Sequence, residues 1–155
     1  MRETTLCYLE KDGCYLMLYR NKKENDCNAG KWIGVGGKLE PGESPDECLL
    51  REVKEETGLC ITRFQRRGQV LFFSDSWDDE IMYLYTATEF VGEPVMECDE
   101  GELLWVPIRE IKNLNLWEGD RIFLRMLVEG RENIHLELHY CGDDLVEAID
   151  REAEK

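Results

Sequence analysis

Positive charge is in short supply in this chain. Nineteen lysines and arginines stand against 34 aspartates and glutamates, for a formal charge of −15. A nucleic-acid polymer is held by a basic footprint that neutralises its phosphates, so this balance argues against such a partner. It argues equally against an anionic membrane surface. The seven cysteines are Cys7, Cys14, Cys27, Cys48, Cys60, Cys98 and Cys141. Their number is odd and no C-x-x-C pair occurs, so neither a disulfide framework nor a zinc site is expected. MRETTLCYLEKDG at the start lacks the apolar stretch of a signal peptide, and no run elsewhere is long enough to span a bilayer. There is no internal repeat, linker or low-complexity segment. A reducing cytoplasm fits these absences, and the chain is expected to work as a monomer or a homodimer. A phosphate-bearing small molecule remains admissible as ligand where cations mask the local acid.

What is present reads as one domain spanning residues 1–155, with 43% hydrophobic and 34% charged residues. Thr4 to Glu10 and Cys14 to Arg20 are strand-like runs joined by the turn signal Lys11-Asp12-Gly13, a β-hairpin. Asn21 to Lys31 is polar and reads as a loop. Trp32 to Leu39 is a short extended piece broken by Gly34, Gly36 and Gly37. Ile61 to Ser74, Ile81 to Val91, Leu103 to Val106 and Asn133 to Tyr140 read as strands. Ile108 to Asn113 is a short helix. Arg121 to Glu129 is a longer one, with Ile122, Phe123, Met126 and Leu127 on a buried face, and the tail after Tyr140 is acidic. Strands and helices are mixed rather than strictly alternating, which predicts a mixed sheet covered by helices on both faces.

One helix is unusually well marked. Ser44 is its N-cap, Pro45 occupies the first helical position, and Glu47 completes a capping box. Gly58 is a natural stop. Leu49, Leu50, Val53 and Thr57 are expected to share its apolar face. Glu52, Glu55 and Glu56 stand at i, i+3 and i+4, so three carboxylates share one patch. A solvated acidic face is the usual meaning of such a run. That meaning leaves unexplained why Gly36-Gly37-Lys38 precedes the helix, and why Glu43 lies ahead of it with Arg51 available to pair. A hard divalent cation reverses the repulsion, because Mg²⁺ prefers carboxylate oxygens and bridges to substrate phosphates.

Gly37, Glu43 and Arg51-Glu52-Val53-Lys54-Glu55-Glu56-Thr57-Gly58-Leu59 resemble the Nudix box across residues 37 to 59, without departure from its pattern. The resemblance implies an α/β/α sandwich with a mixed central sheet. It also implies Mg²⁺-dependent hydrolysis, with Mn²⁺ able to substitute, of a nucleoside diphosphate linked to another group. By the same resemblance the metal ligands are Glu52, Glu55, Glu56 and the carbonyl of Gly36 or Gly37, together with a later acid. That acid is expected at Glu100, with Glu97 as competitor. The glutamates Glu52, Glu55 and Glu56 are the candidate catalytic residues, and Gly37, Glu43, Arg51 and Gly58 are the structural positions of the box.

Residues outside the box bear on the substrate. The proline of the ADP-ribose branch is absent at Ser74 and Asp75, Trp77 stands where the diadenosine-polyphosphate branch has tyrosine, and the NADH-type signature is missing. Ala29-Gly30-Lys31-Trp32, Glu97-Cys98-Asp99-Glu100 before Trp105, and Trp117 with Asp120 are similar to the MutT-like oxidised-purine triphosphatases, which release a nucleoside monophosphate and pyrophosphate. In that branch the tryptophan stacks on the base and acids after it bond the purine edge, roles that fall on Trp117 and Asp120. Thr5, Arg20, Ile33 and Lys38 complete the implied substrate contacts. Two positions depart from the branch. Ile33 replaces an asparagine, and Gly119-Asp120 replaces two successive acids. A general nucleotide or nucleotide-sugar diphosphatase and a non-catalytic nucleotide sensor are the alternatives. Arg63, Arg66 and Arg67 read as solvated strand charge, His135 and His139 as the polar face of a strand, and Cys48 as a small core residue.

Overall fold

The computed structural model describes residues 1–152. The hairpin forms as expected, with β1 over Arg2–Lys11 and β2 over Cys14–Arg20. It is followed by β3 (Trp32–Ile33), α1 (Pro45–Thr57), β4 (Cys60–Ser74), β5 (Glu80–Val91), β6 (Glu97–Cys98) and β7 (Gly101–Pro107). A 3₁₀ turn over Ile108–Asn113 leads to α2 (Glu118–Val128), β8 (Ile134–Cys141) and β9 (Asp144–Asp150). The strands make one sheet in the order β6-β7-β2-β1-β5-β4-β8-β9, with β3 joined to β2. β1 runs parallel to β5 and β4 parallel to β8, and the other pairings are antiparallel. The sheet is therefore mixed and the architecture α+β.

Side-chain alternation along β1 divides the core into two layers. Leu6 and Tyr8 face α2 and pack with Met82, Leu84, Phe123 and Leu124. Cys7 and Leu9 face α1 and pack with Leu16, Leu49, Val53 and Tyr85. A fully buried side chain such as Phe123 contributes about 1.5–3 kcal/mol through the apolar area it removes from water.

The signposted helix has the expected ends. Ser44 Oγ accepts from the Glu47 amide at 3.1 Å, the Ser44 amide donates to Glu47 Oε1 at 3.1 Å, and Gly58 closes the helix in the left-handed region at φ 80°. Its buried face differs in membership. Cys48, Leu49, Val53, Glu56 and Thr57 are buried, whereas Leu50 is 41% exposed. A helical turn places Glu56, not Leu50, in line with Leu49 and Val53.

Two other expectations are corrected. α2 begins at Glu118 rather than Arg121, with Trp117 as its N-cap, so Asp120 lies in the first turn and not in a preceding loop. The acidic tail contains β9, which pairs with β8. An edge strand with one solvated side carries polar residues freely, and the charge of Asp-Leu-Val-Glu-Ala-Ile-Asp hid it. Among the described residues, no helix is long and apolar enough to cross a membrane.

Candidate active site

β1 and β2 pair only near their turn, at Glu10↔Tyr15 and Lys11↔Cys14. Beyond it they part, and the segment after β3 takes up the edge of β1. The Cys7 amide donates to Val35 O at 2.7 Å, and the Thr5 amide donates to Gly37 O at 2.8 Å. Gly36 makes this approach possible, since a Cβ there would stand 2.0 Å from the Thr5 carbonyl oxygen. The glycine loop is thus pinned to the sheet, directly opposite α1.

Arg51 locks loop to helix. Its Nε and Nη2 donate to the two Glu43 oxygens at 2.7 and 2.8 Å, Nη2 also to Lys38 O at 3.1 Å, and Nη1 to Glu52 Oε1 at 2.7 Å. A planar guanidinium suits such forked contacts. The Arg51 hydrogen bonds hold the Glu43 carboxyl down to about 2. Glu55 is also reached by Arg51, at 3.3 Å, yet remains 59% exposed.

Glu56 is the opposite case. It is 6% exposed, and burial first, then the charge of Glu100 and Glu52, pushes its carboxyl well above the usual range. The Gly36 amide donates to its Oε2 at 3.4 Å, while its buried Oε1 has no partner. Glu52 is also raised, by burial above all, against the lowering effect of Arg51. Glu100 approaches from the β6–β7 turn and is held by Arg20 Nη1 at 2.6 Å and Lys23 Nζ at 3.0 Å. Arg20 in turn donates to Asp26 at 2.7 Å. Glu97 pairs with Lys22 and is 65% exposed, against 22% for Glu100. Of the two late acids, Glu100 is the one whose charge bears on Glu56.

Among the described residues, no three Asp, Glu, His or Cys side chains already converge as a closed cage for an ion. Glu52 and Glu55 are bonded to Arg51, and Glu100 to Arg20 and Lys23. The Glu56 carboxyl, buried against Glu100 with no donor on Oε1, is the group that asks for a cation, because neighbouring buried carboxylates cannot all ionise without one. Hard carboxylate oxygens beside glycine carbonyls suit a divalent cation such as Mg²⁺ in kind.

Trp117 and Asp120 lie on the other layer, at the start of α2. The Trp117 indole N–H donates to Asn28 Oδ1 at 2.9 Å. Lys31 Nζ stands 4.8 Å from its ring centroid, and the Tyr140 ring meets its edge at 5.4 Å. Trp117 is half-buried, so it is not wholly a core anchor. Asp120 is buried, and burial raises its carboxyl to about 7, with a further push from Glu80 and an opposing one from Lys31.

The remaining expected contacts divide. Lys38 is exposed beside the glycine loop, and Arg20 ends β2 next to Glu100. Thr5 and Ile33 are not brought to Trp117. The Thr5 hydroxyl meets Cys48 Sγ at 3.4 Å and Gly37 O at 3.5 Å, and Ile33 packs with the α1-side layer. On the Trp117 side, Thr4 stands in place of Thr5 and Trp32 in place of Ile33, a consequence of strand alternation. Lys31, Glu80 and Asn28 were not expected as site residues. They come from a loop and from the end of a strand, where no periodicity marks them. His135 contacts Gln69, and His139 stacks on Phe73 with ring centroids 4.8 Å apart. Cys48 is fully buried.

The chain as a whole resembles known proteins. The NUDIX domain family matches residues 2–127. An uncharacterized Nudix hydrolase, YvcI, from Bacillus subtilis is 31% identical over 139 residues, covering 87% of this chain and 84% of its own. An oxidized purine nucleoside triphosphate hydrolase from Danio rerio is 30% identical over 108 residues, 69% of either chain. Among solved structures, a MutT protein from Bacillus halodurans superposes with a TM-score of 0.87 at 25% identity, covering 98% of this chain and 99% of that one.

Proposed function

This chain belongs to the NUDIX family, whose members act on acid anhydrides, and from that premise we propose that it hydrolyses a nucleoside triphosphate to the monophosphate and pyrophosphate. The proposed substrate is an oxidised purine of the 8-oxo-dGTP kind, and the proposed metal is Mg²⁺, with Mn²⁺ as substitute. The observation that carries this reading is the buried, unpartnered Oε1 of Glu56 beside the glycine loop, with Trp117 and Asp120 available on the other layer.

Glu52, Glu56, Glu100 and the carbonyl of Gly36 or Gly37 would hold the cation, with Glu55 at the rim. When bound, it neutralises phosphate charge and acidifies a water. Lys38 and Arg20 bind phosphate oxygens in this proposal. Arg51 fixes Glu52 and the loop, so the carboxylates meet the substrate already ordered. The general base is one of Glu52, Glu55 and Glu56, since each can take a proton from the attacking water. Trp117 stacks on the base and Asp120 bonds its edge, a combination suited to a ring with a π-face and N–H donors.

A broader nucleoside triphosphatase is the second reading. Relatives from Salmonella named nucleoside triphosphatase NudI, 29% and 30% identical, point to it. A non-catalytic sensor is disfavoured, since every box glutamate is present. The protein works, in this proposal, as a monomer or homodimer in the cytoplasm, where seven free cysteines are at home, and without a nucleic-acid polymer or membrane as partner. The test is pyrophosphate release with Mg²⁺ from oxidised and ordinary nucleoside triphosphates, ADP-ribose and nucleotide sugars. Preference for an oxidised purine supports the first reading. Equal rates on ordinary triphosphates support the second, and turnover of only ADP-ribose or sugars removes both.

A further inference from the structure

α1 carries its own cap and α2 does not. Ser44, the N-cap of α1, accepts from the first turn through its own hydroxyl. Trp117, the N-cap of α2, makes no side-chain cap hydrogen bond. An indole has no acceptor oxygen, so the amides of the first turn must find partners elsewhere. The Gly119 amide, second in the helix, finds one on another element. It donates to the Tyr140 hydroxyl on β8 at 2.8 Å.

The packing around this contact is tight. A Cβ on Gly119 would stand 2.7 Å from that hydroxyl and 2.5 Å from Leu138 Cδ1, so a glycine lets β8 come this close. The β8–β9 register shifts beside Tyr140, from His139↔Glu147 to Tyr140↔Leu145. The shift passes over Val146, which is 64% exposed, and brings Leu145 into the α2 layer with Tyr140. The Tyr140 ring meets the Trp117 indole edge-on, with centroids 5.4 Å apart and an interplanar angle of 80°. Aromatic pairs favour this arrangement. One side chain thus holds both the start of α2 and the indole. It lies beyond residues 2–127, the stretch that matches the NUDIX family.

We infer that Tyr140 is a positioning residue for the nucleotide: by capping α2 and abutting Trp117, it holds the indole in the orientation that receives the base. The inference rests on the base-stacking reading of Trp117. A ring free to change rotamer loses that freedom when a base stacks on it, and ordering the ring beforehand removes this cost from binding. Asn28 already takes the indole N–H at 2.9 Å, and Lys31 Nζ stands 4.8 Å from the ring centroid. Both come from the loop ahead of β3. Tyr140 completes the hold from the opposite end of the chain, which makes the β8–β9 hairpin part of the substrate site.

The test is a double-mutant cycle on hydrolysis of 8-oxo-dGTP and dGTP with Mg²⁺, using Tyr140→Phe, Trp117→Ala and their combination. Tyr140→Phe keeps the ring and deletes the cap. KM for the better of the two nucleotides should rise roughly 3–10-fold, the scale of one hydrogen bond, while kcat stays within about twofold. In the Trp117→Ala background the same change should leave KM where it is, because the ring it positions is gone. Tyr140→Leu, which also removes the edge contact, should raise KM further, and again only where Trp117 is present. An equal rise in both backgrounds overturns the role of Tyr140. So does an unmoved KM in Tyr140→Phe while Trp117→Ala raises it, or a lowered melting temperature with no change in KM. Those outcomes leave the stacking reading standing. Hydrolysis of neither nucleotide, or a KM unmoved by Trp117→Ala, removes the stacking reading and the inference with it.

Discussion

A Cβ on Gly37 would lie 2.4 Å from the carboxyl carbon of Glu52. The glycine is therefore the floor on which this carboxylate rests, and Arg51 holds the carboxylate from the side at 2.7 Å. Gly37→Ala must push Glu52 away or break the loop's bond to Thr5. In the proposed site Glu52 is a metal ligand, and displacing such a group by ~1 Å can lower activity ~100-fold, so kcat/KM should fall on that order while far-UV circular dichroism is unchanged. Wild-type turnover in Gly37→Ala would show that the position of Glu52 is immaterial.

The Glu43–Arg51 fork braces the loop against α1. A double-mutant cycle with Glu43→Ala and Arg51→Ala should return a coupling of about 1 kcal/mol, because the pair is bidentate yet partly open to solvent. Its pH dependence has a definite sign. Glu43 is lowered from its ordinary value to about 2, so its stabilisation is complete above the unfolded value and is lost as pH falls from 4.5 toward 2. Acid titration of the melting temperature in wild type and Glu43→Gln should diverge above that window and converge below it.

Glu56 and Glu55 should behave differently without metal, although both lie in the box. Glu56 is raised by burial, so folding retains its proton where the unfolded chain loses it, and stability falls as pH rises above 4.5. In excess chelator at pH 8, Glu56→Gln should melt above the wild type, and the difference should vanish near pH 4. Glu55→Gln, exposed, should show no such gain. Both substitutions should lower turnover by at least ~100-fold at saturating Mg²⁺, since each removes a charge the site depends on. Near-normal turnover in both would remove the metal-site reading.

Trp117→Ala tests the stacking role. The indole is half-buried and keeps its N–H on Asn28, so loss of the ring should reduce kcat/KM for the preferred nucleotide by ~1–3 kcal/mol, the scale of base–aromatic stacking. A poor nucleotide should be hydrolysed about as well as by wild type. Uniform loss on every nucleotide, with a lowered melting temperature, would assign Trp117 to the core instead.

Asp120→Asn isolates the ionisation near 7. Burial raises this carboxyl, so the folded chain holds its proton between 3.8 and about 7, and stability declines across that window as pH rises. The asparagine variant should lack that decline in the metal-free protein. An identical slope in both proteins would place the ionisation elsewhere.

The chain order alone determined the box helix, its caps and the three glutamates, because capping and the i, i+3, i+4 relation are local and read directly along the sequence. It also determined the hairpin and the alternation that splits the core into two layers. Tertiary structure alone decided the rest. Whether Glu52, Glu55 or Glu56 is buried depends on what α1 packs against. That Thr4 and Trp32, not Thr5 and Ile33, share a face with Trp117 depends on the register of β1 and β3, where a shift of one residue exchanges faces. Gly119 looked like a gap in a motif, and only the Tyr140 hydroxyl and Leu138 packed against it show that the space was already filled.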